Sequence, residues 1–168
     1  MKKLLLFSSI AIAISAFSTA CAQKPSPAEV AKGTIANGNE ISINYSSPAL
    51  KGRTIGKDVE PMQGKVWRAG ANDATVFEIS KDATINGKAL PAGKYGFFTI
   101  DNGSDWTLIF NKNAKQWGAF SYKEAEDALR VNVKPSKAIS MERLTYTITS
   151  TGKVSLNWGT FQVDFDVK

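Results

Sequence analysis

The chain has 168 residues, the size of one domain, with 43% hydrophobic and 21% charged residues, ordinary usage that excludes a disordered or collagen-like chain. It has no His and one Cys, Cys21, which excludes Ser-His-Asp and Cys-His hydrolases, His-ligated zinc, His-held haem and an intrachain disulfide. The net charge of +6 is spread along the chain, which fits solubility and does not form the dense patch of a nucleic-acid binder.

Lys2 and Lys3 precede an apolar run from Leu4 to Ile14, and small residues follow in Ser18-Thr19-Ala20-Cys21-Ala22. That order reads as a secretory signal peptide over residues 1–22, too short in its apolar part to span a bilayer. Two cleavage readings fit. Ala20-Cys21-Ala22 obeys the A-x-A rule, with cleavage before Gln23, the preferred reading. Thr19-Ala20-Cys21 instead resembles a lipobox that would leave Cys21 as a lipid anchor, although Ser18 stands where an aliphatic residue is usual. The mass of the mature N-terminus distinguishes them. Removal of 22 residues and their two lysines leaves 146 residues and a net charge of +4.

Residues 23–39 are polar, small and Pro-bearing, and read as a flexible leader. A single domain is expected over residues 40–168. Strict alternation marks half-buried strands at 41–46, 129–133, 143–149 and 161–168. Residues 95–100 and 106–110 are apolar on both faces, so they are expected deep in the fold, joined by the turn at 101–105. The oxygen-rich turn 101–105 lacks a full calcium-ligand pattern and reads as an ordinary hairpin turn. Shorter strands are expected at 66–68, 75–79 and 154–158, with a reversal at Asn86-Gly87-Lys88. Only residues 122–129 favour a helix, of one or two turns. The expectation is an all-β, antiparallel β-sandwich of roughly nine to ten strands with at most one short helix, barrel-like closure being open as well.

The residues that could carry chemistry fall between those strands. After Tyr45, Pro48 breaks the chain and Gly52 permits a turn that projects Lys51 and Arg53. Residues 66–68 deliver Trp67 and Arg68 to a turn containing Gly70 and Asn72. A guanidinium fork can hold a carboxylate or phosphate through two parallel bonds, and an indole face can stack on a sugar or a cation. The structural alternative is that Arg68 pairs with Asp127, Asp73 or Glu78, that Trp67 is core, and that Asn72 caps its own turn. A third cluster runs from Asn111 to Trp117 and Gly118, with Tyr122, Asp127 and Arg130 downstream. There Trp117 is either an exposed platform or a lid on the core. Asp58, Glu60, Glu124 and Glu126 show no spacing that singles out an acid–base pair.

The segments Tyr45-Ser46-Ser47-Pro48, Lys51-Gly52-Arg53, Val66-Trp67-Arg68-Ala69-Gly70-Ala71-Asn72, Pro91-Ala92-Gly93-Lys94-Tyr95 and Gln116-Trp117-Gly118 occur in one order. In that order they resemble a bacterial exported family, the domain of unknown function numbered 2911, from about Ile41 onward. Asp127-x-x-Arg130 fits the same pattern. Ala69 stands where Thr is expected, and residues 58–64 are more polar than the pattern. The resemblance implies an exported β-domain in which Arg53, Arg68, Asn72, Asn111, Asp127 and Arg130 cluster. It supplies no activity, substrate or cofactor.

The leading expectation is a non-catalytic module that binds a small molecule, glycan or envelope component through an Arg/Asn/Trp cleft. Arg68 would be the anion fork, Asn72 and Arg53 auxiliary donors, and Trp67 or Trp117 a stacking surface. A hydrolase or lyase working with carboxylates and Arg, or a purely structural envelope protein, are the alternatives. No cofactor, metal or nucleic-acid partner is called for.

Overall fold

The alternating segments pair into antiparallel sheets, each burying the face its apolar residues line. The computed structural model describes residues 26–168. In chain order the strands are β1 (Ala28–Thr34), β2 (Glu40–Ser46), β3 (Val66–Trp67), β4 (Thr75–Ile79), β5 (Ala83–Ile85), β6 (Lys88–Leu90), β7 (Gly93–Asp101), β8 (Trp106–Asn111), β9 (Asp127–Val133), β10 (Ser136–Ile148) and β11 (Lys153–Asp166).

The main sheet runs β1-β2-β4-β7-β8-β9, with β3 added beside β7. β10 and β11 form a long hairpin, β5 and β6 a short one. The outer strands β1 and β9 do not pair with each other, so no barrel closes. Instead the long hairpin lies across one face, touching β1 through β10 and β9 through β11. The result is sandwich-like. No helix among the described residues is long and apolar enough to cross a membrane.

Between sheet and hairpin, Phe77, Phe97, Phe110 and Phe165 pack with ring centroids 5.1–6.3 Å apart. Each such pair adds about 0.5–1.5 kcal/mol beyond its burial. β7 and β8 are apolar on both faces because the reverse face is covered too. There Phe98 and Ile109 pack with Ala74 beneath Val66, Ile100, Ala119 and Tyr122.

In β11 the buried apolar side chains are Val154, Leu156 and Trp158, then Val163 and Phe165, a change of phase from even to odd positions. The change falls at Gly159, which has φ +55° and pairs with Met141; the register shifts on both sides of that pair, with four residues of β10 spanning two of β11, an irregularity of the kind that re-aims the following side chains. Two strands expected at 154–158 and 161–168 are therefore one.

Three other expectations change. Residues 28–34, assigned to the flexible leader, form β1 and pair with β2 from Ala28↔Ser46 to Thr34↔Glu40. An edge strand needs little apolar area, and small residues let it approach the hairpin: a Cβ on Gly33 would lie 2.7 Å from Ile148. The helix expected at 122–129 shrinks to one 3-10 turn, Glu124–Glu126, because residues from Asp127 onward pair with β8. With β1, β5 and β6 added and β11 continuous, the described residues form eleven strands. The signal-peptide segment and Cys21 lie outside the described residues.

Candidate functional site

β3 ends at Trp67, and the chain turns through residues 68–74 before β4. Nearly every step of that turn is tied. The Ala69 carbonyl accepts from Tyr146 Oη at 2.7 Å and Thr75 Oγ1 at 3.0 Å. The Gly70 carbonyl accepts from the Trp67 indole at 3.1 Å, and the Ala71 and Thr75 amides donate to the Ser46 and Arg68 carbonyls. Ala69 is fully buried at φ +50°, a conformation in which a β-branched Thr would be strained. Its carbonyl, not a side chain, is what the turn uses at that position.

The turn aims Arg68 into a cleft of about 510 Å³, which is also lined by Lys51, Arg53, Asp58, Glu60, Trp67 and Trp158. Lys51, Arg53 and Asp58 are exposed, so the cleft opens to water. Trp67 stacks on Trp158 with centroids 5.8 Å apart and planes at 18°. Each ring is only 2% exposed. Trp67 therefore serves as floor and core, not as the open stacking surface that was one expectation for it.

The other groups around the cleft are engaged locally. Arg53 donates to the carbonyls of Ala49 at 2.7 Å and Leu50 at 2.9 Å. Asp58 accepts from the Thr54 amide at 2.9 Å, and Glu60 from the Met62 amide at 2.8 Å. Both carboxylates thus cap turns.

Arg68 differs. It is partly buried, forms no ion pair among the described residues, and its Nε is buried without a hydrogen-bond partner. Of the acids that could have neutralised it, Asp127 holds Arg130 and Glu78 holds Lys94. Burial lowers the Arg68 pKa, against an opposing pull from Glu60. Its Nη1 lies 3.2 Å from where a Cβ on Gly118 would sit.

The remaining expected site residues divide. Asn72, at φ +59°, donates to the Ser26 carbonyl at 3.2 Å, and Ser26 lines the cleft, so Asn72 positions the wall rather than lining the cleft itself. Asn111, Asp127 and Arg130 meet outside the cleft. Asp127 accepts from Asn111 Nδ2 at 2.8 Å, Tyr122 Oη at 2.7 Å and Arg130 Nε at 2.7 Å, and Arg130 also reaches Tyr122 Oη and Glu124. Burial first, then the bond to Asp127, pushes the Tyr122 phenol up to about 12. Every member is satisfied, so this cluster clamps residues 112–126 to β8 and β9. Trp117 is an exposed platform, not a lid. Trp158, Glu60 and Lys51 were not among the expected site residues. Trp158 sits on an alternating strand and carried no sequence signal, whereas Lys51 stood in the same turn as Arg53.

The family model described as protein of unknown function (DUF2911) matches residues 26–167. The chain belongs to that family. Neither a curated protein nor a solved structure matches it.

Proposed function

We propose that this member of the DUF2911 family is an exported, non-catalytic binding module. Its cleft holds the carboxylate or phosphate of a small molecule, glycan or envelope component, with Arg68 as the fork and Lys51 and Arg53 at the mouth. One observation carries the reading: Arg68 lines a solvent-reachable cleft without an ion pair among the described residues, and its Nε is buried and unpartnered. A partly buried guanidinium without an acid carries a cost, and an incoming oxyanion would offset it through charge-assisted bonds. The cleft's two carboxylates are engaged with backbone amides, which favours binding over acid–base catalysis.

A thermal-shift screen of carboxylates, phosphates, sulfates and uronic-acid sugars tests it on the wild type and Arg68→Ala. A ligand at ~100 times its Kd should stabilise the wild type by about 2.7 kcal/mol, and Arg68→Ala should abolish the shift. No hit, or hits that stabilise both proteins equally, would refute the assignment.

A further inference from the structure

Of the four tryptophans, three are sealed at 2–3% exposure while Trp117 is 60% exposed. Phe120, three residues on, is 83% exposed. Large apolar side chains are rarely left in water together on a fixed surface without a partner. The segment that carries them is held in place. Lys112 N donates to the Glu126 carbonyl at 2.9 Å, the Asn111 amide holds the Lys123 carbonyl at 3.0 Å, and Ala74 N donates to the Gln116 carbonyl at 3.0 Å. Ala119 and Tyr122, on either side of Phe120, pack inward on Phe98 and Ile109. The backbone is thus pinned while the two rings face outward.

The charge of the segment indicates what they face. Residues 112–123 contain three lysines and no acid. Lys112 and Lys115 are exposed and make no ion pair among the described residues, while Lys123 lies 3.7 Å from Glu126. Asp73, whose backbone pairs with that of Trp117, sets one acid against those two lysines. The local balance is positive.

We propose that residues 112–123 form an interfacial loop that seats the protein on an anionic lipid surface. Trp117 and Phe120 enter the headgroup boundary, where aromatic side chains are favoured, and Lys112 and Lys115 lie against lipid phosphates. A second copy or another protein could also cover the rings. The lysine excess with no acid in the segment favours an extended anionic surface. The inference is independent of what the cleft binds, because it rests on different residues.

The test is co-sedimentation of the full chain with vesicles of equal parts phosphatidylglycerol and phosphatidylcholine, alongside tryptophan emission. Because the other three indoles are sealed, quenching by brominated acyl chains reports Trp117. Pelleting and quenching are expected on the anionic vesicles, falling by about tenfold on phosphatidylcholine alone or at high salt. Trp117→Ala/Phe120→Ala should cut pelleting by about tenfold or more, and Lys112→Gln/Lys115→Gln should remove the preference for anionic lipid. Melting temperatures at the wild-type value would show that both variants fold. Wild-type protein that neither pellets nor quenches overturns the proposal, as does pelleting that survives in the aromatic variant. Self-association without vesicles that the aromatic variant loses would also overturn it, by assigning the surface to a second copy.

Discussion

Replacing Arg68 by Met separates a binding residue from a structural one, because the two roles predict opposite signs. Met keeps a long flexible apolar stem in the same space while removing the charge and the donors. The wild-type Nε is buried without a partner, and such a group costs roughly 1–3 kcal/mol. Arg68 is only partly buried, so solvent screening keeps the relief near the low end, about 1 kcal/mol. A domain of this size gains about 0.3 kcal/mol/K of entropy on unfolding, so the melting temperature should rise by ~3 °C. A guanidinium buried in a working ion pair would behave otherwise. Its removal would cost about 3–5 kcal/mol, a fall of roughly 10–17 °C. Thermal melts, with urea denaturation to confirm an unchanged m value, read the difference. A fall of more than ~5 °C would show that Arg68 is a structural strut and would sink the reasoning built on its missing partner.

Asp127→Ala should act the other way. The Asp127 side chain is 8% exposed and Arg130 33%, so loss of the shared acceptor should cost about 2–4 kcal/mol after allowance for Arg130's contact with water. Calorimetry should show a drop of roughly 7–13 °C, and an unchanged melting temperature would mean the clamp contributes nothing. Alkaline pH should also destabilise the protein. The phenol pKa is raised in Tyr45, Tyr95, Tyr122 and Tyr146, burial being the first cause in each, with Tyr122 at about 12. Above pH ~10 the unfolded chain sheds these protons while the folded protein keeps them. Stability is therefore full below pH ~10 and declines toward pH ~12, by about 1.4 kcal/mol per pH unit for each tyrosine that stays protonated only when folded. Denaturation curves across that range should show the decline, and Tyr122→Phe should lessen it. Phenolate absorbance that appears well before unfolding would contradict the assignment.

The parts of this fold that are legible in the sequence are those where one physical rule dominates. β2, β4 and the end of β11 alternate cleanly because one face meets the core and the other meets water. β7 and β8 read as doubly buried, and Phe98 and Ile109 do pack beneath the segment that carries Tyr122. β1 was hidden because an edge strand is held by backbone pairing, which composition does not record. Residues 122–129 have helix-favouring side chains, yet pairing with β8 overrides propensity beyond Glu126. At the site, the turn grammar put Arg53 and Arg68 each in a turn, the family resemblance implied that they cluster, and both line the cleft. What the turns leave open is that Asp127 pairs with Arg130 and not with Arg68, and that Asn111 belongs to that clamp and not to the cleft.

The way the chain treats its other buried polar groups gives Arg68 its weight. Asn39 is fully buried, yet its Oδ1 accepts three bonds from Ser80 and Lys81, and its Nδ2 donates to the Lys81 carbonyl. Ser47 reaches the Leu144 carbonyl at 2.8 Å, and Asn111 uses both ends of its amide. A fold that satisfies these groups so fully can place an acid beside a guanidinium, and does so for Arg130. Among the described residues four buried side-chain atoms are left without partners, Arg68 Nε, Thr99 Oγ1, Gln116 Oε1 and Glu126 Oε2, and Arg68 Nε is the one that belongs to a cation. Stability alone would favour filling that gap or replacing the cation, since an unpaired buried donor is a net cost. A cation left unpaired, where Arg130 in the same fold is given its acid, is the mark of a requirement other than folding. Under the proposed function that requirement is an oxyanion, which would pair with the Arg68 guanidinium.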